Sequence, residues 1–350
     1  MTDPTAITAG GAAGRPAPPP EPGRRGLAPG TGAARRERLG RLLQHHGAAL
    51  VLLGLAAFGT LAFDSFATGA DLRAVAVSSA FLAIAALGMT FVIISGGIDL
   101  SVGSLFVLGG VLAAYGSRAG TLAALALPLA VCGTIGLLQG VLIGRLGMAP
   151  FIVTLAGLLG VRGLMPAVSD EGATTYLVED RAFASLGQDG PFGLTWPVLI
   201  TVLLAVAGAV LLQRTGFGQN VYAGGGSEEA AGLMGVPVVR TKILVYLLSG
   251  LLAGLAGALN AARLSSGVTI LGIGLELDAI AAVVIGGTLL TGGVGGVTGT
   301  VAGVLLLGVI QNLINQVGNL TSAVQQVVSG AFLVLVVVAQ RVLSSTQRLT

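Results

Sequence analysis

The sequence predicts an all-α, polytopic transmembrane bundle of about ten helices, with both termini cytoplasmic and a candidate internal repeat. Three observations carry this reading. Of the 350 residues, 54% are hydrophobic and only 9% charged, against about 25% charged in a typical soluble domain. Apolar runs near the ~20 residues needed to cross a bilayer recur along the chain. Basic residues gather in the N-terminal tail, one interior loop and the C-terminus.

Taken in order, residues 1–46 read as a disordered basic cytoplasmic tail. They hold seven Arg within the first 41 residues, the run Pro18-Pro19-Pro20, and no apolar period. His45 and His46 at its edge read as an interfacial anchor rather than a metal site. A transmembrane domain, 47–341, follows, and 342–350 form a short cytoplasmic tail. Its uncharged runs are about 47–63, 74–94, 101–117, 119–144, 146–168 with Arg162 inside it, 192–213 and 243–262. Residues 279–340 then carry no charge at all. Polar stretches at Thr291–Thr300 and Gln311–Thr321 divide that region into three.

Short loops rich in Lys and Arg stay in the cytoplasm. The loop 213–242 carries Arg214, Arg240 and Lys242, and the C-terminus carries Arg341 and Arg348. The loop 169–191 is mostly acidic and fits the outside. Seven runs before residue 279 and three after it give an even number of crossings, which two cytoplasmic ends require.

Two interruptions stand out inside the apolar runs. The first is Ile94-Ser95-Gly96-Gly97-Ile98-Asp99-Leu100-Ser101-Val102-Gly103-Ser104. Irregular backbone at membrane depth is tolerated only beside protein or a water-filled cavity. Asp99 there reads either as a cap on the following helix or as a functional intramembrane acid, and one residue can serve both. In the second, Glu276 and Asp278 open a helix whose positive end favours them, and Gly286-Gly287-Thr288 ends it. These acids are expected at the outer mouth of a passage. Gly96-Gly97 with Leu100, Ser101 and Gly103 matches Gly286-Gly287 with Leu290, Thr291 and Gly293 at the same spacing, which suggests the repeat.

In the loop 213–242, Ser227 is a good N-cap, with Glu228 and Glu229 in the first turn. Ala230, Ala231, Gly232, Leu233 and Met234 continue a short helix that Gly235 and Pro237 stop. Such a bounded surface helix suits docking into a partner, or it is an ordinary connection. The chain has no G-x-x-x-x-G-K-[ST] phosphate loop, no H-E-x-x-H and no G-x-S-x-G. Its lone Cys132 excludes an internal disulfide. No catalytic set, metal site or resident cofactor is expected.

The strings at 94–104 and 276–288, with Ala261-Ala262-Arg263-Leu264-Ser265-Ser266, resemble the permease subunits of bacterial ABC-type monosaccharide importers of the ribose-permease type. The resemblance spans roughly residues 70 to 340. It implies a permease domain working by alternating access in the bacterial inner membrane. It implies a second permease copy, an ABC ATPase subunit that binds the ATP, and an extracytoplasmic sugar-binding protein. It makes 227–235 the coupling helix, although Ser227 stands where Asn is usual and Gly232 where Arg is frequent. Ser95, Asp99, Ser101, Thr288, Thr291, Gln311 and Asn312 become candidates for the path. The other readings are a permease for branched-chain amino acids or nucleosides, an ATP-independent transporter, or a membrane enzyme.

Overall fold

In the computed structural model, residues 31–168, 175–269 and 272–317 are described, with most side chains from Gly47 onward and isolated helical positions between 324 and 338. Met1–Leu39 and Gly40–Thr350 are separate units, and the packing below is that of the second. The helices are α1 (Thr31–Ala62), α2 (Gly69–Ile94), α3 (Val102–Gly116), α4 (Thr121–Gly144), α5 (Pro150–Val168), α6 (Arg181–Gln188), α7 (Trp196–Arg214), α8 (Gly216–Gly226), α9 (Glu228–Leu233), α10 (Val238–Leu264), α11 (Leu275–Ile285) and α12 (Val297–Gln316). Among the described residues, α2, α3 with its extension to Ala119, α4, α7, α10 and α12 are long and apolar enough to cross a membrane. Gly47–Ala62 and Pro150–Met165 are shorter apolar helices.

The helical class of the sequence reading holds. One departure is a two-residue antiparallel pair, β1 (Tyr176–Leu177) on β2 (Ser266–Gly267), with Tyr176 opposite Gly267.

Helices α3, α4 and α10 pack closely because glycines face each other. A Cβ on Gly109 would lie 2.8 Å from Gly254 Cα, and one on Gly136 would lie 3.2 Å from Gly250 Cα. In a bilayer, packing and not water-driven burial holds helices together, so backbone proximity of this kind supplies the contact.

α10 is 27 residues long, about 40 Å at helical rise, and it separates two ends of the bundle. Its first turn lies at the end of the 213–242 segment. At its other end Gln188 Nε2 donates to Ser265 Oγ at 2.9 Å. Helix α6 and the segment that leads into α10 therefore lie at opposite ends of that helix. Within the 169–191 loop, α6 is held by Phe183, which is fully buried among Ala113, Ala124, Ala258, Ala261 and Ala262. Asp180 caps α6 through the Ala182 N–H, and the hydrogen bond from the Thr121 hydroxyl holds its carboxyl below the usual range.

Three expectations need correction. The tail read to residue 46, yet α1 begins at Thr31. The stretch from Ala33 to Leu50 is rich in Ala, Arg, Leu, Glu and Gln, which all favour helix. The tail's residues 1–30 lie outside the described residues, as do the 342–350 tail and the boundary near Thr321. The charge-free region breaks at Gly286 rather than Thr291, and Gln311 to Gln316 continue α12 instead of interrupting it. Their amides find partners: Asn312 Nδ2 donates to Asp71 Oδ2 at 2.7 Å and Gln316 Nε2 to Asp71 Oδ1 at 3.2 Å. Finally, α11 has only 11 residues, about 16 Å, so by itself it makes half a crossing.

Candidate functional site

Both glycine interruptions are helix ends of one kind. At the end of α2, Ser95 N–H donates to Phe91 C=O, Gly96 N–H to Ile93 C=O, and Gly97 N–H to Val92 C=O. At the end of α11, Gly286 donates to Ala282, Gly287 to Val284, and Thr288 to Val283. This is the Schellman closure, which places a left-handed residue just past the helix. That residue is Gly96, with φ +84°, and Gly287, with φ +93°. The geometric equivalence is therefore Ser95 with Gly286 and Gly96 with Gly287. The sequence match of Gly96-Gly97 to Gly286-Gly287 was one residue out of register. Helix α9 ends with the same triplet at Met234, Gly235 and Val236.

Asp99 is fully buried. Its Oδ1 accepts from the Ser101 N–H at 2.9 Å and the Ser101 hydroxyl at 2.6 Å, and its Oδ2 accepts from the Ser249 hydroxyl on α10 at 2.7 Å. Gln139 on α4 reaches Ser101 Oγ at 3.2 Å through its amide oxygen, leaving Nε2 buried without a partner. The Ser101 proton is already committed to Asp99. The opposite amide orientation, with Nε2 donating to Ser101 Oγ, satisfies both groups, and amide orientation is an assigned quantity. Beside this node the Tyr246 ring is buried with its hydroxyl against Gly97, where a side chain would collide. Asp99 thus holds Ser101, the residue just before α3, and ties the first break to α10 directly and to α4 through Ser101.

Glu276 lies in the first turn of α11 and is 7% exposed. The acid expected at an outer mouth is thus buried against protein. Its Oε1 accepts from Arg162 Nη2 at 2.9 Å, and Arg162 stands twelve residues into α5, about 18 Å along that helix. Oε2 lies against Gly103, and a Cβ there would overlap the carboxylate. The missing side chain at Gly103 is what admits the acid. Arg162, read from sequence as a snorkelling residue, is the partner that allows Glu276 to be buried. We expect Arg162→Gln to lower stability by roughly 2 kcal/mol, because a buried acid loses its partly exposed partner. The double variant Arg162→Gln/Glu276→Gln should recover most of that loss. Melting of purified single and double variants in detergent checks this, and a double variant no better than the single would refute the pairing.

The sequence-predicted residues do not form one site. Asp99 and Ser101 form the buried node. Ser95, Gly96, Gly97, Gly286, Gly287, Thr288 and Thr291 belong to the two helix breaks, where Ser95 and Thr288 are buried and Thr291 is exposed. Gly103, Glu276 and Asp278 gather at the start of α11. Gln311 and Asn312 are remote, some 21 Å up α12 from Val297. Sequence reasoning missed Ser249 and Gln139. A lone hydroxyl and a lone amide in otherwise apolar spans were the available signal. It also missed Asp71 as the partner of the α12 amides.

In the interior loop, α9 forms as expected. The Ser227 hydroxyl accepts from the Ala230 N–H at 3.3 Å, and Glu228 pairs with the Lys242 ammonium. Leu233 and Met234 project outward, 88% and 81% exposed.

Long apolar helices whose breaks are lined by protein are the marks of an integral membrane protein. Residues 72–337 match the family described as "Branched-chain amino acid transport system / permease component", and the chain belongs to that family. The inner membrane ABC transporter permease protein YjfF of Escherichia coli K12 is 43% identical over 284 residues, covering 80% of this chain and 86% of that protein. The L-arabinose transport system permease protein AraH of the same organism is 36% identical over 322 residues, 91% of this chain and 97% of that protein. The ribose import permease protein RbsC of Bacillus subtilis 168 is 41% identical over 272 residues, 77% and 83% respectively. No solved structure matches the chain.

Proposed function

We propose that the chain is the transmembrane permease subunit of an inner-membrane ABC importer that carries a monosaccharide of the ribose or arabinose class. The observation that carries this is its likeness, over most of both chains, to permeases named for ribose and L-arabinose. The family description names branched-chain amino acids, but these relatives favour sugar. An uncharged polyol needs hydroxyls, amides and backbone carbonyls along its way, which the helix breaks offer without paired charges. The chain has no phosphate-binding loop of its own, so ATP binds and is hydrolysed on a partner ATPase, with no cofactor held here. α9 is the coupling helix on which that ATPase acts, an extracytoplasmic binding protein delivers the sugar, and a second copy of the permease completes the passage.

The chain crosses ten times with both ends cytoplasmic. One crossing includes α11, and the last falls in the remainder of the charge-free stretch that ends at residue 340. The shared Schellman closure of α2 and α11 supports the internal repeat. A reporter inserted at Asp180 should read as external, and a cytoplasmic signal there would overturn this topology.

The deciding experiment is uptake by proteoliposomes holding the permease, its ATPase and its binding protein. ATP-dependent accumulation of a pentose is the expected result. Accumulation of leucine or a nucleoside without any monosaccharide would overturn the reading.

A further inference from the structure

The end of α8, the end of α2 and the loop 286–296 meet at bare backbone. A Cβ on Gly225 would overlap the Ile94 carbonyl oxygen and lie 2.8 Å from Gly293 N. A Cβ on Gly292 would lie 3.0 Å from Gly96 Cα and 2.7 Å from Gly225 O. The Gly293 N–H donates to Ile94 C=O at 2.9 Å, which ties the second break to the first. Two further links run from α8. Tyr222 Oη donates to Gly295 C=O at 2.7 Å, and the Phe217 ring stacks on Phe91 of α2 at 6.2 Å. Gly225 is two residues from Ser227, the N-cap of α9. Nothing compressible separates the short helix from the two breaks, and close-packed backbone transmits displacement instead of absorbing it.

We infer that Gly225 is a positioning residue for transport: it is the pivot through which movement of α9 reaches both helix breaks together. This rests on the reading of α9 as the coupling helix. With no side chain at 225, α8 lies directly on the backbone of Ile94 and Gly293, so a shift of α9 moves the ends of α2 and α11 as one body. A methyl at 225 wedges α8 away from both. The short helix then still meets its partner, but the breaks no longer follow it.

The test uses the permease–ATPase complex in proteoliposomes, with hydrogen exchange measured without nucleotide and with ATP trapped by vanadate. Exchange reports local opening and needs no cargo. In the wild type, segments 92–101, 227–235 and 286–296 should all change on trapping. In Gly225→Ala the change at 227–235 should persist and the change at both breaks should vanish, with ATP hydrolysis within about twofold of wild type and uptake reduced about tenfold, a usual size for coupling between sites. Tyr222→Phe removes one hydrogen bond and adds no atom, so it should fold normally and weaken the response of 286–296 alone. The inference is overturned if Gly225→Ala responds as the wild type does. It is equally overturned if complex recovery, hydrolysis and uptake fall by one common factor in that variant while Tyr222→Phe leaves every segment unchanged. A wild-type complex that carries no monosaccharide would remove the sugar reading, and the exchange pattern would still decide the pivot.

Discussion

Asp99→Leu should lower the melting temperature of the purified permease by several degrees and reduce uptake at least about tenfold. The carboxylate accepts three hydrogen bonds, from the Ser101 N–H, the Ser101 hydroxyl and the Ser249 hydroxyl, in a fully buried place. Leu has the same branched shape but is bulkier, with methyls in place of the two oxygens, and it accepts no hydrogen bond. A buried donor left unpaired costs about 1–3 kcal/mol. The Ser249 hydroxyl can turn back onto a helix carbonyl and the Ser101 hydroxyl can donate to Gln139 Oε1, but the Ser101 N–H before α3 has no such alternative. The loss should therefore be nearer 3 kcal/mol than the sum for three orphans. Asp99→Asn is the informative control. Its amide oxygen keeps both Ser101 donors and its NH2 can donate to Ser249 Oγ, so it should retain most of the stability. Thermal shift in detergent and uptake in proteoliposomes measure the two effects. An unchanged melting point in Asp99→Leu would show that the node holds nothing together.

Much of this architecture could be read from composition and periodicity. The helical class, six of the apolar spans among the described residues, and the capped short helix at Ser227 follow from local chemistry, and the structure contains them. The misreadings share one cause: residue type was taken for position. The two Gly pairs were matched as letters, yet only the residue just past the helix needs positive φ. Gly96 and Gly287 occupy that place, while the preceding cap position accepts Ser95 in one break and Gly286 in the other. Gln311 and Asn312 looked like a break because amides are unwelcome in lipid, and their acceptor, Asp71, stands 241 residues from Asn312 in sequence. Glu276 read as an acid opening a helix, and its burial could not be foreseen. Only the proximity of Arg162 and the missing side chain of Gly103 make it a buried one, and neither is visible in a linear reading.

The second large effect is expected at the exposed short helix. Leu233 and Met234 are 88% and 81% exposed, although nearby Ala231 is buried. Scattered exposed apolar side chains are ordinary facing lipid. These two differ because they project from a loop that the charge pattern assigns to the cytoplasm, and there a large apolar pair favours a partner's surface. The helix beneath them is self-sufficient, with Ser227 capping its start and the Gly235 closure finishing it. Charge can therefore be placed on them without unfolding it. Burying a Leu or Met side chain is worth about 1.5–3 kcal/mol. Losing two such contacts and desolvating two carboxylates should weaken binding at least about a hundredfold, since 1.4 kcal/mol is tenfold. Leu233→Glu/Met234→Glu should thus insert normally, keep its melting point, and fail to co-purify with the ATPase. Leu233→Met/Met234→Leu exchanges the two without removing apolar area and should bind as the wild type does. Normal complex recovery in the Glu variant would show that the ATPase grips the permease elsewhere, and the pivot at Gly225 would then have no lever above it.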